Sequence, residues 1–379
     1  MDWVSIKDEI KNYARIIGID KIGFTDARPL SEHLPLLIRR KEAGHAYAVN
    51  EGDPHKRVDP SKHIPDAKSV ISAAVVYPWQ ETSQEPAAQS VSGPARGRIS
   101  LISRGTDYHV VVRDKLEKLR EHIMSVVPKA QTVITVDNEE ILEKAIAVKA
   151  GLGWFGRNTL LVTPEYGSWV CLGELITDLP FPPDQPLGSG CGSCRRCVDS
   201  CPTGALDEDK NLNPDRCLAG ITQSKCLPPP GIRELMGKTL YGCDICQQAC
   251  PYNAKAKAVG HREFTCNPEN AFPVLAEILD MTNTAYKKRF GLTSGAWRGR
   301  TPLQRNAVIA AANLKDAGTV PALVKILCSD SRVVMRGAAA WALGEIGALA
   351  GIQALEKALK TEKDPQVMAE IENGLKRRQ

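Results

Sequence analysis

No stretch of this 379-residue chain approaches the ~18 consecutive apolar residues that a membrane-spanning helix needs. Also missing is the basic-then-apolar layout of a secretion signal. The chain instead opens on MDWVSIKDEIKNYARIIGI, where Trp3, Ile6, Ile10, Tyr13 and Ile17 recur every three or four residues as one face of an amphipathic helix. There is no twin-arginine export segment. These absences predict a cytoplasmic protein with no membrane contact, in a compartment where thiols stay reduced. Its twelve cysteines are therefore better read as metal ligands than as disulfides.

What is present is the balance of a soluble globular protein, with 43% hydrophobic and 25% charged residues. The length implies two or three compact units. Residues 1–180 alternate helix-like stretches with β-branched runs such as Ser69–Tyr77 and Gln131–Val136, which predicts an α+β or α/β layer domain. Within it, Gln80–Gly97, rich in Ser, Gln, Pro and Ala, reads as an exposed loop. Clustered prolines in Leu179–Pro186 end this domain, and a cysteine-dense segment of residues 181–270 follows. Only Cys171 and Cys328 lie outside residues 191–266. That segment has little hydrophobic periodicity, as expected of chain organised by metal. In residues 271–379, Arg305–Asp316 matches Arg336–Gly347 and Val320–Leu327 matches Ile352–Leu359. Paired short helices at that period predict HEAT-like repeats, too few to stand alone and so docked on the rest of the protein.

The cysteine spacing carries the chemistry. Cys191, Cys194 and Cys197 are followed by Cys201-Pro202, and a looser second set runs Cys217, Cys243, Cys246 and Cys250-Pro251. Three thiolates two residues apart wrap one [4Fe–4S] cubane, while the cysteine before proline reaches a second. Cluster one is thus assigned to Cys191, Cys194, Cys197 and Cys250, and cluster two to Cys217, Cys243, Cys246 and Cys201. A pair of zinc sites is the alternative. Cys171, Cys226, Cys266 and Cys328 are left as ordinary thiols. Clusters move electrons but make no bonds to an organic substrate, so another group or protein must be reduced.

Glycines 151, 153 and 156 form GLGWFG, but after a helical stretch (Ile141–Ala150) rather than a strand, which disfavours a nicotinamide site. A helix C-cap followed by close backbone packing is the better reading. Asp137 ends a strand and can be read as a cap on a helix starting near Glu139.

Val136-Asp137, Ala150–Asn158 (AGLGWFGRN), Tyr166–Leu172, Cys191–Ala205, Tyr241–Gln247 (YGCDICQ) and Arg298–Asn306 (RGRTPLQRN), in that order, resemble the epoxyqueuosine reductases across essentially the whole chain. The resemblance implies a base-off cobalamin over one cluster, reduced by electrons from the other. It also implies removal of the epoxide oxygen of epoxyqueuosine in tRNA to leave queuosine and water. The enzyme would be a monomer fed by an external flavodoxin- or ferredoxin-like donor. By position, Asp137 becomes the proton donor, with a pKa raised beside the apolar corrin. Asn158 and Ser168 become corrin contacts and Arg57 a corrin or tRNA contact, while Tyr241, Gly242 and Asp244 face the cofactor beside the cluster ligands. The chain has no Asp-x-His-x-x-Gly signature of base-off cobalamin domains, so cobalt would take no histidine from it. A cytoplasmic dehalogenase-like reductase and an electron-transfer adaptor are the competing functions.

The net charge is only +5, but residues 281–379 carry sixteen Lys and Arg against eight Asp and Glu, which leaves the remainder negative. Phosphate backbones favour such one-sided charge. Lys287, Lys288, Arg289, Arg298, Arg300, Arg305, Arg336, Lys376, Arg377 and Arg378 are the candidates, with Arg305 and Arg336 expected to line a repeat face. Lys225 could hold a phosphate near the clusters. Tyr108, Trp154, Phe155 and Tyr241 are available to stack on an extruded base.

Overall fold

The computed structural model describes residues 1–44, 52–77, 79, 93–138, 140–264 and 268–377. The loop expected at Gln80–Gly97 falls, up to residue 92, outside them, as do Glu139, Cys266 and Arg378. Contacts gather the chain into two units, Met1–Trp79 with Thr106–Asp215 and Asp244–Thr265, and Gln80–Gly105 with Arg216–Cys243 and Cys266–Gln379. The cysteine-rich segment is thus shared out between them. No described helix is long and apolar enough to cross a membrane.

The first unit is built on a four-stranded sheet. Its strands, numbered along the whole chain, are β1 (Lys21–Asp26), β2 (Ser69–Val76), β4 (Thr132–Thr135) and β7 (Val170–Thr177), in the order β1-β2-β7-β4. Every neighbouring pair is antiparallel. Both expected β-branched runs are strands, β2 and β4. All eight residues of β2 are buried, so the sheet is covered on both faces. On one face, Gly173 lies under Val112 and Leu116 of helix Tyr108–Val126, and a β-carbon there would come within 2.7 Å of Val112. On the other, Ala145 and Ile146 of helix Glu143–Lys149 pack with Val70 and Ile176. The first helix spans Trp3–Ile16, capped by the Asp2 carboxylate; of its predicted face Ile10 is buried and Trp3, Ile6 and Tyr13 are half-buried, with Ala14 buried beside them.

GLGWFG forms the predicted C-cap. Gly151 has φ +77°, and Leu152 N–H reaches back to the Ala147 carbonyl, the reach of a Schellman motif. Close packing follows, because a β-carbon on Gly153 would stand 2.2 Å from the Val162 carbonyl oxygen. There the short strands β5 (Trp154–Phe155) and β6 (Leu161–Val162) pair.

The second unit holds a two-stranded parallel ladder, β3 (Arg98–Ile99) with β8 (Thr239–Tyr241), and the repeat helices Arg300–Asn313, Val320–Ser329, Val333–Ile346, Leu349–Leu359 and Pro365–Lys376. A glycine contact sets one helix spacing: a β-carbon on Gly344 would lie 2.5 Å from Gly374 Cα. A buried ion pair ties helix Pro230–Leu235 to the last repeat helix. The Arg233 guanidinium, 3% exposed, meets both Glu370 oxygens at 2.9 and 2.5 Å and stacks 5.3 Å from Trp341. Glu370→Ala is expected to cost about 3–5 kcal/mol, because Arg233 would stay buried without its anion. A lowered denaturation midpoint with unchanged iron content is the measurement that checks it.

Candidate functional site

Every described cysteine is a free thiol. Cys191, Cys194, Cys197 and Cys250, the four assigned to one cluster, line a single cavity together with Gly156, Asn158 and Tyr252. Among the described residues no three His, Cys, Asp or Glu side chains converge on one point as a single ion requires. The four sulfurs surround a space instead. Burial, reinforced by the charge of neighbouring sulfurs, raises the Cys197 and Cys250 thiols, an opposition that a bound cationic cluster removes. The wall is tightly set: Tyr252 donates to the Gly190 carbonyl at 2.9 Å, and Trp154 meets Tyr252 edge-on at 4.9 Å. Gly190 admits no side chain, since a β-carbon would lie 2.5 Å from the Trp154 ring.

The other assigned ligands sit on local elements suited to thiolates. Cys201 Sγ accepts from Ala205 N–H at 3.3 Å and contacts Thr203 Oγ1 at 3.6 Å. Partial burial opposes the thiolate there, but these hydrogen bonds prevail and lower the Cys201 pKa. Cys217 precedes helix Leu218–Gln223, Cys243 follows β8, and Cys246 lies in helix Ile245–Gln248. Cys226 is exposed and Cys171 is buried in β7.

Asp137 lies two residues beyond β4 with φ +41°, a left-handed conformation uncommon for a residue with a β-carbon. It caps no helix, since the following helix starts at Glu143 with Leu142 as its uncapped N-cap. Its carboxylate accepts from the Tyr108 hydroxyl and lies 3.6 Å from His109 Nε2, while its own N–H donates to the Glu143 carboxylate. Burial, then the Asp137 charge, keeps the Tyr108 hydroxyl far above its ordinary pKa, so it remains a donor. Burial and the Asp137 charge also push Glu143 up to about 8. Beneath it Glu174, fully buried in β7, accepts from Ser72 Oγ at 3.2 Å and is pushed well above the carboxylate range by burial. Burial disfavours charge on His109, but its hydrogen bond with Asp107 wins and raises its pKa. The result is a proton-rich corner of carboxyls, phenol and imidazole.

Other expected contacts divide. The Arg57 carbonyl accepts from Leu142 N–H at 3.2 Å, which puts Arg57 at the far end of the Asp137 loop. Asn158 is buried; its Oδ1 accepts from Leu160 N–H, whereas its amide nitrogen has no hydrogen-bond partner among the described residues. The Ser168 hydroxyl is committed to a buried network with Gln247 and Asn253. Gly242, at φ +67°, donates its N–H to Thr222 and would clash with Ser100 if it bore a side chain. Tyr241 and Asp244 are buried, and the Tyr241 hydroxyl bonds the Ser294 carbonyl at 3.1 Å.

Two basic residues do not line a repeat face as expected. Arg305 is fully buried, and its guanidinium donates to the carbonyls of Ile221, Ser224 and Cys226. Neighbouring Asn306 donates to Thr222 and Leu240 carbonyls, so the pair clamps the chain around Thr222. Arg336 is held by both Glu362 oxygens at 2.7 and 3.0 Å. Arg289 pairs with Glu277, and Arg300 donates to the Met281 carbonyl at 2.5 Å. Lys225, Lys287 and Lys288 are exposed. Arg298 stacks 3.8 Å from the ring of Trp297, an exposed aromatic absent from the sequence-based candidates. Glu143 and Glu174 were likewise missed, though an acid inside the apolar run CLGELIT is a visible irregularity.

Three family models match the chain: a 4Fe-4S double cluster binding domain over residues 190–253, epoxyqueuosine reductase QueG, DUF1730, over 57–138, and HEAT repeats over 298–376. The first decides for two [4Fe–4S] clusters against zinc. An epoxyqueuosine reductase of Bacillus cereus is 41% identical over 375 residues, 99% of this chain and 98% of that protein. A crystal structure of epoxyqueuosine reductase with an epoxyqueuosine-modified stem loop of tRNA-Tyr superposes with a TM-score of 0.94 at 42% identity, covering 99% of both chains. A structure from Bacillus subtilis, with its catalytic aspartate loop swung out of the active site, gives 0.93 at 41% identity over 99% of this chain and 100% of that one. With that identity sustained from end to end, the chain belongs to the epoxyqueuosine reductase family.

Proposed function

We propose that this protein is an oxidoreductase that converts epoxyqueuosine to queuosine within tRNA, with Asp137 as the proton donor, two [4Fe–4S] clusters on the assigned cysteines, and cobalamin as the reducing cofactor. The observation that carries the cofactor reading is Asn158, whose buried, unpartnered amide nitrogen belongs to a residue in the wall of the four-cysteine cavity. An amide oxygen on the edge of a corrin bound beside that cavity would satisfy such a donor, which supports the reading at Asn158. Asn158 and Arg57 would hold its periphery. Bound cobalamin supplies a strongly reducing cobalt centre, and the clusters supply electrons one at a time from an external flavodoxin- or ferredoxin-like donor.

The chain's own share is proton delivery and placement. An epoxide oxygen leaves poorly as an alkoxide, so a proton must arrive as its carbon–oxygen bond breaks. Tyr108 aims the Asp137 carboxyl by donating to it, and the raised Glu143 and Glu174 keep further protons close by. We take the loop carrying Asp137 as the counterpart of the aspartate loop that is swung out in the Bacillus subtilis relative, and infer the same movement for it. Anaerobic purification with iron and cobalt analysis, then incubation with an epoxyqueuosine stem loop under reducing conditions, tests the reading. Product lighter by one oxygen supports it, and unchanged substrate with a fully loaded protein refutes it.

For tRNA we assign the exposed Lys287 and Lys288 with Arg298 on its Trp297 ring, rather than Arg305 or Arg336. Reversing Lys287 and Lys288 to Glu is expected to weaken stem-loop binding about tenfold or more and to flatten the salt dependence by roughly one to two phosphate contacts. Unchanged affinity across a salt titration would place the tRNA on another face.

A further inference from the structure

We propose that Glu143 is the latch that holds the Asp137 loop closed, a positioning residue that acts by accepting the Asp137 backbone N–H. The proposal rests on the reading of Asp137 as the acid. Its basis is geometric. Asp137 sits at φ +41°, a conformation that a residue with a β-carbon adopts uncommonly, and neighbours hold it there. Two contacts do so from opposite ends. The Tyr108 hydroxyl grips the side-chain carboxylate, which fixes where the acid points but not the peptide plane. Glu143 grips the N–H, and the direction of that N–H is what φ sets.

The latch also has a firm base. Glu143 opens helix Glu143–Lys149, whose Ala145 and Ile146 are anchored in the core under the sheet. The intervening segment is tied at its far end by Leu142 N–H to the Arg57 carbonyl. Releasing the Glu143 hydrogen bond leaves the Asp137 end held through its side chain alone, by Tyr108 and the nearby His109.

The groups facing Glu143 decide the form in which it works. Tyr108 and His109 approach from helix Tyr108–Val126, Cys171 and Glu174 from β7, Lys144 from its own helix, and Asp137 from the loop. Burial and the Asp137 charge favour the protonated acid up to about pH 8. A neutral carboxyl keeps a carbonyl-type oxygen for the Asp137 N–H, and glutamine offers the same oxygen without a titration. Above that pH, two facing carboxylates repel and the latch loosens.

The test compares Glu143→Ala with Glu143→Gln in the loaded protein, by single turnover on an epoxyqueuosine stem loop and by amide exchange of residues 136–142. The alanine variant is expected to lose about 10²-fold in kcat with KM within twofold, and to lose protection in that segment, at unchanged iron content. The glutamine variant is expected to recover kcat to within about fivefold and to keep its protection above pH 8, where the parent loses it. An alanine variant with parental protection overturns the proposal, as does a glutamine variant as impaired and as unprotected as alanine. Should Asp137→Asn prove fully active, the acid reading fails by itself, while the exchange data still report on the latch.

Discussion

Asp137→Asn is expected to lower turnover by about 10²- to 10⁴-fold, the usual contribution of a positioned general acid, while leaving cluster content and stem-loop affinity intact. The substitution is well matched to the question. Asparagine keeps the shape of the side chain and an oxygen for the Tyr108 hydroxyl, and it is among the residues that best tolerate a positive φ, so the loop has no reason to rearrange. What it cannot do is release a proton to a departing oxygen. The loss should appear in the single-turnover rate and not in binding, because the acid acts only as the bond breaks. A rate within a few-fold of the parent would assign the proton to another group, and the Tyr108 hydroxyl, held protonated beside Asp137, would be the first to examine.

Cys194→Ala and Cys246→Ala are each expected to remove roughly half of the bound iron and to abolish turnover with reductant supplied in excess. The first takes one sulfur from the four that line the cavity beside Asn158. The second removes a ligand assigned to the other cluster from the pseudo-symmetry of the motif. Among the described residues the cysteines assigned to neither cluster are Cys226 and Cys328, both exposed, and Cys171, enclosed in β7. Cys226→Ala is the matched control and should keep its iron. If Cys194→Ala retained the full complement, the assignment of that cavity would be wrong.

Part of the fold is legible in the sequence. The amphipathic face of residues 3–17, the buried strand at Ser69–Tyr77 and the helical repeats beyond residue 300 all follow from spacing within a few turns or a few pleats. The glycine cap at Gly151 was legible for the same reason. The antiparallel order β1-β2-β7-β4 was not, because it pairs Ser72 with Glu174 across about a hundred residues and no local pattern encodes that choice. Arg305 misled because repeat-helix arginines are usually solvated, whereas here a distant loop around Thr222 supplies carbonyls that make burial tolerable. The role of Glu143 is not legible in the sequence, because its contact with the Asp137 N–H depends on where the helix begins, at Glu143 rather than near Glu139.

The amino-acid sequence alone determined that this protein gathers two iron–sulfur clusters and carries its repeats toward the carboxyl end, since cysteine spacing and helical period are set by the covalent chain over a few ångströms. Only tertiary structure decided which acid grips the Asp137 backbone, which arginines are spent inside the fold and which lysines remain for phosphate. Those outcomes depend on which distant segments pack together, and packing sets the burial and hydrogen-bond partners that fix what each side chain can do.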